Sequence, residues 1–264
     1  MLIFQRPQTD PYFNLAAEEF ILKHYEDNSF MLWRNEPAII VGKHQNTLAE
    51  VNMEYVHDHQ LKVVRRISGG GAVFHDLGNI NFTFIRQGEQ GSLVDFRKFT
   101  EPILEVMAGL GIEARFEGRN DLTIGGRKFS GNAEHVYKNR VLHHGTLLYS
   151  SIMDQLANAL KVDPSKFTDK AVKSVRSRVT NITEHMKEPL PIDAFMGRIQ
   201  EHILKTFTDC HIRELGPDDI SGINKLVKEK YETWEWNFGY SPNYNFSKKV
   251  KTTNGGTIEM NIQA

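Results

Sequence analysis

Hydrophobic and polar residues alternate along this chain with two different periods. A period of three to four residues, typical of a helix with one buried face, marks three long segments. A period of two, typical of a half-buried strand, is clearest where Ile80, Phe82 and Phe84 alternate with polar neighbours. The sequence therefore predicts both strands and helices, with the main helices over residues 9–25, 92–110 and 191–207.

The order of the predicted elements favours one fold class. Many strands follow one another through short turns, such as Gly125-Gly126 and the segment KNR, in which we expect Asn139 to adopt a positive φ angle. Strands and helices do not alternate strictly, which argues against a doubly wound parallel sheet. We expect an α+β fold in which mixed or antiparallel sheets pack against helices.

The last part of the chain has a different pattern. Residues 244–264 are predicted to form one hairpin around Asn254-Gly255. An isolated hairpin is marginally stable in water, so it either packs on the main domain or begins a second one. We expect a main domain over residues 1–243 and, over residues 244–264, the start of a small C-terminal domain that is truncated.

Composition and charge exclude several classes of function. The 264 residues carry a net charge of -1, so neither nucleic acid nor a membrane is an expected partner. The one cysteine, Cys210, excludes an intramolecular disulfide and a thiolate metal site, and it lies far along the chain from the glycine-rich segments. No signal peptide or membrane-spanning run is present, so we expect a cytoplasmic protein.

Three consecutive glycines, Gly69 to Gly71, stand in the segment RRISGGGAVFHDLGN. They precede a strand, unlike the glycines of the standard nucleotide-binding motifs, which open a helix. Backbone N–H groups without Cβ atoms can line an anion or a flat ring, and Arg65 and Arg66 offer positive charge beside them. A flexible turn between two strands is an equally good interpretation of the glycines alone.

A second candidate segment is GRNDLTIGGRKFSGNA, residues 118–133. Asp121, supported by Asn120, is a candidate Mg²⁺ ligand, because Mg²⁺ takes one or two carboxylates together with substrate phosphates. Lys128 follows a tight turn and has small neighbours, so it can point into a ligand cavity. A solvated surface lysine is the alternative interpretation.

Other polar segments are less specific. His143 and His144 are adjacent on a predicted strand and face opposite ways, which excludes a paired metal site. Lys173, Arg176 and Arg178 form either a solvated loop or a lid over a phosphate. Because no nucleophile motif is present, we expect catalysis by placement and charge stabilisation, as in nucleotidyl transfer to a carboxylate.

Taken together and in order, these segments resemble the lipoate–protein ligase family. The matching segments are MLWRN, VGKHQN, RRISGGGAVFHDLGNINFTF, GRNDL, RKFSGNA, HHGTLL, SVRSRVTNI and WEWNFG. The resemblance implies a catalytic domain related to biotin–protein ligases, often followed by a small C-terminal domain. It implies activation of lipoic acid by ATP and Mg²⁺ to lipoyl-AMP. Transfer then follows to a lysine of a carrier, either an E2 lipoyl domain of a 2-oxoacid dehydrogenase or the glycine-cleavage H protein.

The resemblance also implies roles for particular residues. Lys128 matches the catalytic lysine, which contacts the acyl carbonyl and the α-phosphate, and Asp121 matches the Mg²⁺ ligand. The implied lipoate-binding residues are Trp33, Arg66, Ser68, Gly70, Gly71, His75 and His135. The implied nucleotide-binding residues are Gly71, Val73, Phe74, Asn79, Asp121, Lys128, Ala133, Gly145, Thr146, Arg178 and Val179.

The chain departs from the family pattern in two places. His135 stands where some relatives carry arginine, and the predicted C-terminal domain, which the family links with adenylation, stops after one hairpin. One alternative is therefore a transferase that uses preformed lipoyl-AMP without its own ATP step. A biotin ligase is another alternative, although the chain resembles biotin ligases more in its expected fold than in these motifs. A different class is a non-catalytic protein that binds a lipoyl group or a nucleotide.

Overall fold

The order of strands and helices follows the hydrophobic pattern in a computed structural model, which describes residues 1–88, 94–160, 167–174, 178–252 and 255–263. The strands within these residues are β1 Leu2–Gln5, β2 Ser29–Trp33, β3 Ala38–Val41, β4 Lys62–Arg65, β5 Val73–His75, β6 Asn79–Gln87, β7 Ala114–Glu117, β8 Asp121–Ile124, β9 Arg127–Tyr137, β10 Arg140–Leu148, β11 Phe167–Asp169, β12 His211–Arg213, β13 Tyr244–Lys251 and β14 Thr257–Gln263. The α-helices are α1 Pro11–His24, α2 Thr47–Glu50, α3 Met53–Asp58, α4 Phe96–Gly109, α5 Met153–Ala159, α6 Ile192–Thr206 and α7 Pro217–Leu226.

Three sheets organise the described part of the chain. The largest has the strand order β12-β1-β2-β6-β10-β9-β8-β7. Its first three strands are parallel, and the others pair antiparallel. A smaller sheet has the order β4-β3-β5, with β3 parallel to β4 and antiparallel to β5. The predicted α+β fold with mixed and antiparallel sheets is therefore confirmed.

Each face of the large sheet is covered by helices. The alternation of Ile80, Phe82 and Phe84 puts all three side chains on one face, where α4 and α6 cover them. Burying a side chain of this size contributes about 1.5–3 kcal/mol, so this face supplies much of the core. The opposite face packs against α1 and α7.

Local capping signals set the helix starts. The Asp10 side chain accepts a hydrogen bond from the Phe13 N–H at 3.0 Å, and Pro11 occupies the first turn, both as predicted. The helix predicted over 92–110 is α4 and begins at Phe96, because Asp95 caps it by accepting from the backbone of Lys98. Residues 92 and 93 lie outside the described part.

The turn between β9 and β10 differs from the prediction. The residue with positive φ is Lys138, at 55°, and not Asn139. Tyr137 pairs with Arg140, which leaves two loop residues. A positive φ at only the first of two loop residues is typical of a type II′ turn. The turn type therefore requires the positive φ at Lys138, although asparagine adopts such a φ more readily than lysine.

Residues 66–72 connect β4 to β5 across the end of β3, because these two strands flank β3. We call this connection the glycine loop. A Cβ atom on Gly42, just after β3, would lie 2.0 Å from the carbonyl oxygen of Gly70. The glycine loop therefore packs backbone against backbone on the chain that leaves β3.

The C-terminal strands form a third sheet. β13 pairs antiparallel with β14, as the hairpin prediction requires, and also with β11. Asn254 lies outside the described residues, and Gly255 has a φ of 87°. Every described residue of β14 is exposed, including Ile258 and Met260. The domain boundary after residue 243 stays a prediction.

No helix in the described ranges is long and apolar enough to cross a lipid bilayer.

The contact between Gly42 and Gly70 gives a test of stability. Gly42→Ala puts a methyl group into a backbone carbonyl and should destabilise the fold by about 1–3 kcal/mol, measured as the midpoint of urea unfolding. Gly197→Ala is the matched control, since Gly197 lies inside α6 and its added Cβ meets no atom within 4 Å. That variant should be more stable by about 0.5–1 kcal/mol. An unchanged midpoint for Gly42→Ala would contradict the packing described above.

Candidate functional site

Between the large sheet and the smaller sheet lies a cavity of about 400 Å³, within the usual range for small-molecule sites. The glycine loop, β9, β10 and residues 172–174 contribute to its walls. Most of the predicted site residues line it, namely Trp33, Arg66, Gly70, Gly71, Val73, His75, Lys128, Ala133, Gly145 and Thr146. The structure thus gathers residues that are more than 100 positions apart in sequence.

The cavity is elongated across the strands of the large sheet. Trp33 pairs with Asn81, Asn81 pairs with Thr146, and the Thr146 hydroxyl accepts from the backbone of Gly131. Neighbouring strands lie about 4.8 Å apart, so these three steps from β2 to β9 span about 14 Å. Lys128 lies on β9 at the far end from Trp33.

The β9 end is polar and carries the predicted catalytic residue, Lys128, and the predicted Mg²⁺ ligand, Asp121. Lys128 Nζ lies 2.7 Å from Asp121 Oδ1, and the two side chains are 28% and 31% exposed. The backbone of Lys128 is fixed on both sides, because its N–H donates to the Arg178 carbonyl at 2.8 Å and its carbonyl accepts from Thr180 at 3.0 Å. A charged ligand at this end of the cavity can bind to the ion pair of Lys128 and Asp121.

The β2 end is closed by buried aromatic rings. The Trp33 and His75 rings lie 6.1 Å apart between centroids, and both side chains are almost fully buried. Burial lowers the pKa of His75 to about 3, and the charge of Arg66 adds to this effect. His75 is therefore neutral near pH 7.

Arg66 binds the glycine loop from inside. Its guanidinium donates to the carbonyls of Gly69 at 2.6 Å, Gly71 at 2.8 Å and Ile40 at 3.2 Å, and to the Ser68 hydroxyl at 3.1 Å. Burial lowers the pKa of Arg66 to about 10, which leaves the group charged at neutral pH. Arg66 therefore both holds the loop and puts a positive charge on the cavity wall.

Arg65 does not contribute to the cavity, contrary to the expectation that both arginines face an anion. It is fully buried and donates to the carbonyls of Gly42 at 3.0 Å, Gln45 at 2.8 Å and Asn237 at 3.0 Å. Side chains alternate along a strand, so adjacent arginines at the end of β4 point to opposite sides. The positive charge at the cavity comes from Arg66 and Lys128.

Two of the three glycines of the loop lie where a larger residue does not fit. Gly70 has a φ of 95°, a conformation that residues with a Cβ rarely adopt. A Cβ on Gly71 would lie 2.9 Å from the Ser174 hydroxyl oxygen, whereas one on Gly69 would meet no atom within 4 Å. Ser174 also accepts from the Ala72 backbone at 2.8 Å. Ser174, in the basic segment, thus contacts the glycine loop, whereas Arg176 lies outside the described residues.

A buried chain of hydrogen bonds runs behind the loop. His144 lines the cavity and places Nε2 2.6 Å from the Ser68 hydroxyl and Nδ1 3.0 Å from Glu18. Ser68 is 1% exposed and its oxygen also accepts from Arg66, so this arrangement orients the loop and does not present a nucleophile. Glu18 was not among the residues predicted from the sequence. The sequence feature that could have identified it is an acidic residue among the apolar residues of the first helix.

The predicted opposite orientation of the two histidines is confirmed. His143 stacks on Phe99 at 4.9 Å and contacts Glu134 through Nδ1 at 2.9 Å, on the α4 side of the sheet. Within the described residues no group of three or more His, Cys, Asp or Glu side chains could hold a metal ion. Cys210 follows α6, and its thiol donates to the Phe207 carbonyl.

Several predicted binding residues do not line the cavity. Phe74 points to the other side of β5 and packs with Ile39 and Val63, so only its backbone faces this region. Asn79 is buried behind Asn81, to which its amide donates. The residues of the predicted sets found outside the lining are Ser68, Phe74, Asn79, Asp121, His135, Arg178 and Val179.

Some of these residues lie next to the lining. Val179 forms a parallel bridge with Lys128, next to the Arg178 contact. His135 lies further along β9, and burial lowers its pKa to about 4, with the charge of Lys43 adding to this effect. The binding roles of these residues stay predictions.

These features define an α+β protein with a small-molecule cavity that is polar at one end and aromatic at the other. The chain belongs to the family described as "Lipoyl protein ligase A/B catalytic domain", whose model matches residues 10–204. Lipoate–protein ligase 1 of Staphylococcus aureus is 48% identical over 252 residues, which cover 94% of this chain and 76% of that protein. Lipoate-protein ligase LplJ of Bacillus subtilis is 42% identical over 260 residues, covering 96% and 78%.

Solved structures agree with this family assignment. A lipoate–protein ligase A bound with ATP has a TM-score of 0.78 at 25% identity, covering 90% of this chain and 98% of that one. A Thermoplasma acidophilum protein described as a putative lipoate protein ligase with bound lipoic acid has a TM-score of 0.77 at 26% identity, with the same coverage.

Glu134 is a further cavity residue that was not predicted from the sequence. Burial raises the pKa of its carboxyl to about 7, and the negative charge of Asp95 adds to the shift. One carboxyl oxygen, Oε2, has no hydrogen-bond partner in the described part of the protein. The carboxyl is therefore largely protonated below pH 7 and becomes a poorly compensated charge above it.

This shifted pKa predicts a pH-dependent stability. The folded state binds the Glu134 proton more tightly than the unfolded chain, so this group lowers stability as pH rises from about 4.5 to about 7. Glu134→Gln should match the wild type near pH 4 and be more stable by about 1–3 kcal/mol at pH 8, measured by urea unfolding. Glu101→Gln, on the exposed side of α4, is the control. A difference that does not grow with pH would show that Glu134 is not held neutral by burial.

Proposed function

We propose that this chain is an ATP-dependent lipoate–protein ligase that carries out two steps in one cavity. In the first step the lipoate carboxylate attacks the α-phosphorus of ATP, which gives lipoyl-AMP and releases pyrophosphate. In the second step a carrier lysine amine attacks the acyl carbonyl, forms the amide and releases AMP. The observation that carries this proposal is the single cavity with Lys128 at its polar end and Trp33 at its aromatic end.

The dimensions of the cavity support an eight-carbon acid lying along it. With carbon–carbon bonds of about 1.5 Å, the extended chain of lipoate is about 9 Å long, less than the roughly 14 Å between β2 and β9. The charged carboxylate is attracted to Lys128 and Arg66, while the apolar ring is excluded from water at the other end. Both preferences orient the acid the same way.

Lys128 supports both steps from one position. Negative charge develops on the phosphate oxygens in the first step and on the acyl oxygen in the second, and the two groups share the reacting centre. A fixed positive charge at that point stabilises both transition states without reorganisation. The strand pairing of Lys128 with residues 178–180 supplies the required rigidity.

Asp121 fits a role in holding Mg²⁺. The chain offers one carboxylate with Asn120 beside it, and Mg²⁺ is usually bound by one or two carboxylates together with substrate phosphates. When bound, the ion neutralises the charge of the phosphate groups. Asp121 itself orients the Lys128 ammonium through the 2.7 Å ion pair before the substrates arrive.

The acceptors we propose are lipoyl carrier domains, from E2 subunits or from the glycine-cleavage H protein. One similar structure, at a TM-score of 0.77, is described as an archaeal bipartite lipoate protein ligase and its E2 lipoyl domain. Lys128 is more than a quarter exposed, so a carrier lysine can approach the reacting end from solvent. We propose the cytoplasm as the compartment, because ATP is available there.

Replacing Lys128 tests the catalytic assignment. Lys128→Ala should lower both ATP- and lipoate-dependent pyrophosphate release and carrier lipoylation by about 10²–10³-fold, since one fixed charge serves both transition states. Lys225→Ala, an exposed lysine on α7, is the matched control and should keep full activity. Undiminished activity in Lys128→Ala would show that the lysine has no catalytic role.

Replacing Asp121 separates the two steps. Asp121→Asn should lower pyrophosphate release by about 10-fold or more, because the metal-bound phosphates belong to the first step. Carrier lipoylation from supplied synthetic lipoyl-AMP, without ATP, should fall much less. Equal losses in both assays would contradict a specific role in the ATP step. Wild-type activity with lipoyl-AMP but none with ATP and lipoate would identify a transferase instead.

A further inference from the structure

A residue that lines the aromatic end of the cavity carries a buried hydrogen-bonding atom without a partner. His75 is 3% exposed, and its Nε2 has no hydrogen-bond partner in the described residues. The side chain lines the cavity beside Trp33. Leaving such a group unpaired costs free energy, so in native proteins a ligand or an ordered water usually completes the bond.

The other ring nitrogen of His75 is held by a chain of amides whose orientation follows from their neighbours. The side-chain nitrogen of Asn14 lies 3.0 Å from the carbonyl oxygens of Gln8 and Arg34. Carbonyl oxygens only accept, so the amide must present its NH₂ group there. Its oxygen then accepts from Arg6 Nη2 at 2.5 Å, which fixes Asn14 on both sides.

Asn14 in turn fixes Asn35 and the histidine. Asn14 Nδ2 donates to Asn35 Oδ1 at 2.8 Å, so the other end of the Asn35 amide is its NH₂ group. That group lies 3.0 Å from His75 Nδ1. Nδ1 must therefore accept, and the neutral ring carries its proton on Nε2. Three buried residues, Arg6, Asn14 and Asn35, thus leave an unpaired N–H donor on a residue of the cavity lining.

The position of this donor corresponds to the far end of the substrate chain. His75 pairs with Ala38 at the start of β3, two residues beyond Val73 and away from the glycine loop. Trp33 lies about three strands from Lys128, where the carboxylate is activated. In lipoate, this distal region carries the two sulfur atoms of the dithiolane ring, and sulfur is a weak hydrogen-bond acceptor.

We propose that the Nε2–H group of His75 selects the dithiolane ring of lipoate by donating a hydrogen bond to one of its sulfur atoms. Arg6, Asn14 and Asn35 are positioning residues that hold the ring in the donating tautomer. Octanoate, the eight-carbon acid without sulfur, leaves the donor unpaired and is disfavoured. This inference rests on the proposed function, because it assumes that the acid lies along the cavity.

The selectivity is tested by replacing His75 in two ways. His75→Leu removes the donor and should lower the ratio of kcat/KM for lipoate over octanoate by about 10-fold, through KM for lipoate. His75→Gln keeps a side-chain N–H near the Nε2 position and should retain the ratio within about 3-fold. His57→Leu, an exposed histidine, is the control. A ratio unchanged in His75→Leu would overturn the proposal.

The tautomer is tested without any activity. Nitrogen-15 NMR of the imidazole should show the wild-type His75 proton on Nε2, and Asn35→Ala should shift it towards a mixture and lower the lipoate preference. A proton on Nδ1 in the wild type would overturn the proposal. If the wild-type protein transferred neither lipoate nor octanoate to a carrier, the proposed function would fail. The selectivity would still be decided by calorimetry, which measures the binding of free lipoate and free octanoate to the wild type and to His75→Leu.

Discussion

The position of the glycine loop depends on the buried guanidinium of Arg66. The loop has no strand partner of its own, so its carbonyl groups need donors from elsewhere. The Arg66 guanidinium donates hydrogen bonds to the carbonyls of Gly69 and Gly71. It also donates to the Ile40 carbonyl, which attaches the guanidinium to β3. A buried charge is costly unless its hydrogen bonds are made, so the loop and the arginine stabilise one another. Without this interaction the cavity would lose one wall.

This arrangement explains how one cavity serves two kinds of ligand chemistry. Charge is concentrated at the Lys128 end and where Arg66 meets the loop, while the β2 end is aromatic and closed. A substrate with one charged and one apolar end is therefore oriented before any reaction occurs, and orientation is a large part of the catalytic effect that fixed groups provide. The second layer of buried hydrogen bonds, from Glu18 to Ser68, keeps the loop in that position.

Local signals in the sequence predicted much of the fold. The alternation around Phe82, the Asp10 cap and the Gly125-Gly126 turn each act over a few residues, and the structure contains all three. The turn at Lys138 was predicted one residue away, because neighbouring strands select the turn type. The extent of α4 was also overestimated, since its start depends on a cap rather than on periodicity.

The site was predictable in part. Family motifs gave most of the cavity lining, whereas Arg65 was assigned to the wrong side because only strand pairing determines which adjacent arginine faces the cavity. Glu18, Asn35 and Glu134 were missed for a related reason. Each is a single polar residue whose role depends on partners from distant segments, so no spacing rule along the chain identifies it.

The most direct test of the central claim, that one cavity carries out both steps, uses this 264-residue chain with a lipoyl carrier domain. The reaction starts from free lipoate and ATP, and mass spectrometry of the carrier is combined with measurement of AMP. We expect one lipoyl group on the carrier lysine for each AMP released. Carrier that is modified only when lipoyl-AMP is supplied, or not at all, would contradict it.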